Sequence, residues 1–380
     1  MSILFQPIQF GRLNLSNKII IAPMCQYSAT EHAEISYWHE QQWASYALSG
    51  AGLCIVEAMA VQAQGRISNA DLGLWNDQQR DQVKALLSKV KTLSPMPFAV
   101  QLAHAGRKAS INKPWEGGGQ ITDSSQAWQT VAPSAIAFHD QDAAPQALTL
   151  NDIEQIKQDF VAAAIRAVEA GFELIEIHAA HGYLLHQFLS PLSNQRQDLY
   201  GGSLENRLRL TLEITQAILA VVPENYPVGV RISATDWMEY TNEPSWDLAS
   251  SLILTQQLEQ LGVAYIHVSS GGLSSTQKIE LEPNYQVGFA EAIKATVNTS
   301  VIAVGLITDA QQAEMIVRGG HADAIAIARA ILYDPRWPWH AAASLGATIQ
   351  VAPQYLRCQP QGYQQLLQPF HTKDDCNDGR

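Results

Sequence analysis

Apolar and polar positions along the chain fall into a repeating rhythm: short runs of β-branched and aliphatic residues, each followed by a longer stretch with apolar positions at helical spacing. Eight such runs occur: KIIIAPM (18–24), GLCIVEAM (52–59), PFAVQLAH (97–104), FELIEIHAA (172–180), PVGVRIS (227–233), AYIHVSSGG (264–272), SVIAVGLI (300–307) and ADAIAIAR (322–329). Their apolar character is nearly continuous, as expected of parallel strands covered on both faces, whereas a half-exposed strand would alternate. The segment NDIEQIKQDFVAAAIRAVEAG shows the intervening helical pattern. It places Ile153, Ile156, Phe160, Ala163, Ala164 and Ala167 on one stripe, Asn151 and Glu154 have capping-box spacing, and Gly171 supplies a stop. Eight β-α units with no interposed domain predict an α/β chain folded as a (β/α)8 TIM barrel.

Three segments stand outside this rhythm. The first 17 residues precede the first strand and are expected to cap the barrel bottom. Residues 105–147, rich in Gly, Ser, Pro and Trp, are far longer than an ordinary βα connection and predict a lid. After the barrel domain, taken as residues 1–358, a polar tail of residues 359–380 reads as disordered.

Composition narrows the function. With 36 acidic against 24 basic residues, a formal charge of -12 and no Lys/Arg run, the chain lacks the clustered cations that a nucleic acid demands. No stretch of about 18 apolar residues and no signal-peptide pattern occurs, so a membrane is not expected and a cytoplasmic location is. Cys25, Cys54, Cys358 and Cys376 are scattered without a C-x-x-C, which predicts reduced thiols rather than a disulfide framework or a cysteine metal site.

In a barrel of this kind the chemistry sits at the C-terminal ends of the strands. Here those ends are polar. They carry Pro23-Met24-Cys25-Gln26-Tyr27, Glu57-Ala58, Gln101 with His104, His178 with His181 and Tyr183, Arg231, Ser269-Ser270-Gly271-Gly272, Gly305, and Ala328-Arg329. Any one of these could be an ordinary hydrogen-bonded residue, but their recurrence at strand after strand marks a site. Arg231, inside the apolar run PVGVRIS, requires an anionic or carbonyl partner. His178 and His181 could be metal ligands of an aldolase or hydrolase, but a catalytic zinc usually takes a third protein ligand, and Glu176 is expected to point away from the mouth. As donors, the same imidazoles could hold a carbonyl oxygen that gains negative charge, with Tyr183 as a neutral proton donor and His186 structural. Gly305 and Ala328-Arg329 match the phosphate site that barrels build after strands 7 and 8, and no G-x-G-x-x-G dinucleotide fingerprint occurs.

The stretches NKIIIAPMCQYSA, QLAHAGRKAS, HAAHGYLLHQFLSPLSNQRQDLYGGSLENRLRL, VSSGG and AIARAILYDPRW resemble the old yellow enzymes over about residues 3–358. The Cys of APMCQY and the spacing to HAGRK resemble the bacterial xenobiotic-reductase-like and thermophilic-like subclass. The resemblance implies FMN held non-covalently across the barrel mouth: Pro23, Met24, Cys25 and Ala58 beside its ring, Gln101 and Arg231 on its pyrimidine edge, and Gly305, Ala328 and Arg329 at its phosphate. Ala328 stands where the family usually has Gly, so a methyl group is expected to press on the phosphate approach. The resemblance further implies a ping-pong cycle in which NADPH or NADH reduces the flavin and leaves. An activated alkene (enone, enal, maleimide or nitroalkene) is then reduced with His178 and His181 on its carbonyl oxygen, Tyr27 lining the pocket and Tyr183 as the acid. Cys25 is implied to tune the flavin. Arg357 resembles an arginine that reaches a neighbouring subunit's site, which implies a homodimer or homotetramer.

Overall fold

In the computed structural model, which describes residues 1–370, eight parallel strands close into a barrel. They are β1 (Ile19–Ile21), β2 (Leu53–Ala60), β3 (Phe98–Ala103), β4 (Leu174–Ala179), β5 (Val228–Ser233), β6 (Tyr265–Ser269), β7 (Ser300–Val304) and β8 (Ala324–Ile327). Each coincides with one of the apolar runs. Helices α1 (Tyr37–Ala47), α2 (Asp77–Val90), α3 (Leu150–Ala170), α4 (Leu204–Val221), α5 (Leu248–Leu261), α6 (Val287–Lys294), α7 (Ala310–Arg318) and α8 (Trp337–Leu345) cover the outside. Burial on both faces explains why the strands read as unbroken apolar runs.

The stripe of α3 is buried as expected, and Gly171 ends the helix in the left-handed conformation at φ 96. The cap is not Asn151. Thr149 accepts from the Asp152 amide, and the Asp152 side chain returns to the cap backbone, so the helix begins earlier than the sequence pattern suggested. Both boxes have acceptable chemistry; the chain's exit from the short strand Gln146–Ala147 fixes which one forms.

The barrel interior changes character from bottom to top. At the bottom, the antiparallel pair Ile8–Phe10 and Leu13–Leu15 inserts Phe10 and Leu15 among Ile20, Leu53, Ala99, Leu174 and Ile302. The Phe10 ring lies 5.1 Å from that of Tyr265. The N-terminal segment is therefore a plug that seals one end. Nearer the mouth, the interior is lined by Gln101, Glu176, His178, Arg231 and His267, all buried.

The 105–147 connection carries two short turns of 3-10 helix, Gly106–Lys108 and Pro114–Glu116, and a strand Val131–Ala132 paired parallel with Gln146–Ala147. Beyond the barrel, Leu367–Pro369 pairs parallel with Ile349–Val351, and Leu366 and Leu367 are buried against Ala342, Ile349 and Val351. The expectation of disorder from residue 359 onward is thus corrected as far as 370, because two leucines inside a polar stretch give the segment an apolar anchor. Residues 371–380, with Cys376, lie outside the described part; Cys25, Cys54 and Cys358 are free thiols.

Candidate active site

The floor of the site is a buried polar layer contributed by β3, β4 and β6. Glu176 accepts from Gln101 Nε2 at 2.7 Å and from the Tyr265 hydroxyl at 3.0 Å, and it lies 2.8 Å from His267 Nδ1. Residues two apart on a strand share a face, so Glu176 points into the same interior as His178, one layer lower. This corrects the expectation that it turns away. Burial alone would raise the pKa of Glu176, but His267, Arg231 and Gln101 outweigh it and hold the carboxyl below its usual range.

Arg231 sits in register with both His178 on β4 and His267 on β6. Its pKa is lowered by burial and partly restored by Glu176, and its Nε has no acceptor among the described residues. The anionic or carbonyl partner that the sequence demanded is therefore supplied only in part by the protein. A buried guanidinium with an unmet donor, aimed into the mouth of a barrel, is a place prepared for a polar ligand atom.

Above this floor the chain leaves β4 through His178 and turns sharply at His181, which adopts φ 59, and at Gly182, with φ 74. The turn packs against the end of β6 so closely that a Cβ on Gly182 would lie 2.1 Å from the Gly272 carbonyl oxygen. Glycine at 182 is a condition for the two strand ends to touch. His178 Nε2 and His181 Nδ1 are 3.3 Å apart, and the Tyr183 ring stands edge-on to His178 with centroids 5.0 Å apart. His178 Nδ1 accepts from the Ala180 amide at 3.2 Å, which places the proton of the neutral ring on Nε2. Burial first, and Arg231 next, push both histidine pKa values well below the ordinary value, so the rings are neutral donors and not cations. Burial also raises Tyr183 well above the usual phenol range. His186 is structural: in the short helix Leu184–Leu189 its Nδ1 accepts from the Gly182 amide at 2.9 Å. Its Nε2 stands 2.9 Å from Asp236, close but off hydrogen-bond alignment.

The opposite wall comes from the end of β1. Cys25, Tyr27 and Tyr183 pack on one small apolar cluster with Ile67, Ala105 and Ala109. Pro23 and Met24 lead out of β1, and the Gln26 amide donates to Glu57 at 3.1 Å while His39 stands 3.2 Å from the other Glu57 oxygen. Tyr27 adopts φ 49, with Trp115 of the 105–147 segment edge-on at 6.0 Å. The Cys25 thiol takes a hydrogen bond from the Ala58 backbone, at a bulge in β2, but burial raises its pKa well above the usual value. It is a thiol at neutral pH, which disfavours a nucleophilic role.

Next to Arg231 a cavity of about 220 Å³ opens between the ends of β6, β7 and β8, lined by Ser269, Gln286, Gly305, Ala328 and Arg329 among others. The turn after β7 holds Gly305 at φ 122 and Leu306 at φ 50. A Cβ on Gly305 would meet the Gln286 amide nitrogen at 2.5 Å. Ala328 lies at φ -107, just ahead of the short helix Arg329–Tyr333. Arg329 is solvent-exposed at the rim. Gln286 escaped the sequence reading because 274–286 reads as featureless loop, whereas Glu176 was considered there and aimed the wrong way. Larger clefts of about 660 and 690 Å³ lie at the N-terminal ends of the strands, away from these groups. Arg357 is exposed on the turn Pro353–Cys358 and is not part of its own chain's mouth.

The arrangement fits an aromatic cofactor that carries electron-rich heteroatoms at one end and a phosphate at the other. Arg231 offers an unmet donor, and the positive-φ turn at Gly305 with Arg329 offers a cavity bordered by a cation. A metal reading of His178 and His181 finds no support: among the described residues no three His, Cys, Asp or Glu side chains converge.

Comparison with known proteins agrees. Residues 3–347 match the NADH:flavin oxidoreductase / NADH oxidase family. An NADPH dehydrogenase of Geobacillus sp. (strain WCH70) is 43% identical over 94% of this chain and 98% of its own length. The NADPH dehydrogenase of Bacillus subtilis (strain 168) is 42% identical over 93% and 98%. Among solved structures, morphinone reductase superposes with TM-score 0.74 at 29% identity, covering 93% of this chain and 91% of that one. An old yellow enzyme homologue from Zymomonas mobilis gives TM-score 0.74 at 25% identity over 95% and 98%. A (β/α)8 barrel with this mouth and these relatives belongs to the NADH:flavin oxidoreductase / NADH oxidase family, that of the old yellow enzymes, and is an FMN-dependent oxidoreductase served by a reduced nicotinamide nucleotide.

Proposed function

We propose that the protein is an ene-reductase acting on small alkenes conjugated to an electron-withdrawing group: enones, enals, maleimides and nitroalkenes. The observation that carries this reading is the convergence of two neutral imidazoles and a neutral phenol above a buried arginine with an unmet donor. FMN, when bound, would supply the hydride, taken from NAD(P)H, that the alkene's β-carbon receives. Gln101 and Arg231 hold its pyrimidine edge, Pro23, Met24, Cys25 and Ala58 its ring, and Gly305, Ala328 and Arg329 its phosphate.

The remaining work falls to the chain's own side chains. For both histidines to donate to one carbonyl oxygen, His181 must carry its proton on Nδ1. Its Nε2 lies 2.7 Å from the Ser269 hydroxyl, whose other contact, Gln286 Oε1, is 3.4 Å away and already accepts from Ser270 at 2.6 Å. In that tautomer Ser269 donates to His181 Nε2; without a substrate oxygen the same contacts carry the opposite relay, from His178 Nε2 to His181 Nδ1 and from His181 Nε2 to Ser269. Two donors on that oxygen make the β-carbon electrophilic, and Tyr183, kept protonated by burial, gives a proton to the α-carbon. Tyr27 shapes the pocket, and the 105–147 segment serves as a lid that keeps water out. We place the enzyme in the cytoplasm as a homodimer or homotetramer in which Arg357 reaches a neighbour's mouth; it acts on neither nucleic acid nor membrane. No described helix is long and apolar enough to cross a bilayer.

The test is anaerobic reduction of the holoenzyme by NADPH and by NADH, followed by reoxidation with a panel of activated alkenes. A flavin reduced by the nucleotide but reoxidised by no alkene faster than by buffer would remove this reading. Cys25→Ser is expected to retain both half-reactions with altered rates, because a tuner can be replaced and a nucleophile cannot; stopped-flow decides, and loss of both with FMN still bound would indicate covalent chemistry. Arg357→Ala is expected to leave reduction unchanged at full assembly and to weaken alkene binding. A mass measurement that finds only monomers would rule out the contribution in trans.

A further inference from the structure

Two adjacent cations, Arg107 and Lys108, lie beside the β4 turn, and the side-chain hydrogen bonds they make all go to main-chain carbonyls, with Arg107 Nε left without a partner among the described residues. Lys108 Nζ donates to His181 O and to Gly272 O, both at 2.8 Å. Arg107 donates to Ile136 O and Ala137 O of the 105–147 segment at 3.2 Å and to Leu273 O at 2.8 Å. Lys108 Nζ also stands 5.3 Å from the centre of the Tyr183 ring and 4.6 Å from that of Phe138. Carbonyl dipoles satisfy a cation's geometry but do not cancel its charge, so this pair projects a positive field.

We propose that Lys108 is a positioning residue for the β4 clamp: it fastens the His181 carbonyl to the Gly272 carbonyl and leaves a positive charge beside the place where a substrate oxygen becomes negative. This rests on the reading of His178, His181 and Tyr183 given above. The bond to His181 O acts on the residue whose backbone is held at φ 59, a conformation that a histidine pays conformational energy to adopt and that needs an external tie. Its charge is also among the causes that keep both clamp histidines unprotonated.

The groups that face the site separate by pH. His178 and His181 are held well below neutrality, while Tyr27, Tyr183 and Cys25 are raised above their usual values. Arg107 is lowered to about 10 by burial, Arg231 is lowered in the same way, and Asp71, behind Cys25 and Tyr183, is raised to about 7. Burial, with Arg107 next, brings Lys108 down to about 8. The lysine charge is therefore present below about pH 8 and lost as pH rises through that value.

The probe is a perfluorinated phenol, already ionised at neutral pH, titrated into holoenzyme and followed by the long-wavelength charge-transfer band it forms with flavin. Wild type should bind it roughly tenfold or more weakly once pH has risen past the lysine titration. Lys108→Arg should restore binding at high pH and abolish the fall, and Lys108→Met should be weak throughout with no such fall. Asp71 contributes equally to wild type and Lys108→Arg, so the difference between them isolates the lysine. If Lys108→Met fails to fold, the wild-type and Lys108→Arg curves still decide, and identical curves overturn the proposal. The two readings fail differently: His178→Ala and His181→Ala with undiminished phenolate binding, or no binding by wild type, would sink the clamp itself.

Discussion

Tyr183→Phe is expected to bind FMN, to be reduced by NAD(P)H at the wild-type rate and to slow the enone half-reaction by about 10² to 10⁴-fold, the contribution of a positioned general acid. Phenylalanine keeps the edge-on contact with His178 and the packing on Cys25 and Tyr27, so the loss is chemical and not structural. Nitroalkenes should suffer less, because the anion formed from them is stable without immediate protonation. His178→Ala and His181→Ala should differ in kind. Each removes a donor to an oxygen that becomes negative, at a cost of roughly 1.5–3 kcal/mol in phenol binding. Stopped-flow on the separate half-reactions checks the set, and an unchanged enone rate in Tyr183→Phe removes that residue as the acid.

Arg231→Met is expected to lower the flavin midpoint potential, by about 40 to 90 mV if a unit charge a few ångströms from the ring contributes roughly 2–4 kcal/mol to the two-electron couple. The reason is that a buried cation favours whichever state of the ligand carries more negative charge. The fold should survive, because Glu176 keeps Gln101, Tyr265 and His267 as partners. His267, whose pKa is depressed first by burial and then by Arg231, should rise and take up part of the missing charge. Spectroelectrochemical titration provides the measurement. A variant that kept FMN at an unshifted potential would show that Arg231 does not face the ring.

The strands and the stripe of α3 were legible in the sequence because each is a local pattern. A strand covered on both faces must be apolar at every position, a helix against a sheet must be apolar at every third or fourth, and neither statement needs a partner. The candidate residues were legible for a related reason: polar groups such as Arg231 and His178 violate that pattern at strand ends, where only function or a buried partner sustains them. The resemblance of HAAHGY and its companion motifs to old yellow enzymes then attached chemistry to those violations.

What local pattern could not show is which distant side chains meet. Thr149 rather than Asn151 caps α3 because the preceding strand delivers the chain there. Glu176 joins Tyr265 and His267 across 89 and 91 residues, and Lys108 reaches Gly272 across 164, contacts created only when the barrel closes. The sequence by itself determined the barrel and the residues at its mouth, since burial demands are written position by position. The tertiary structure decided their protonation and aim, because desolvation and charge act through space and depend on neighbours that closure alone brings together.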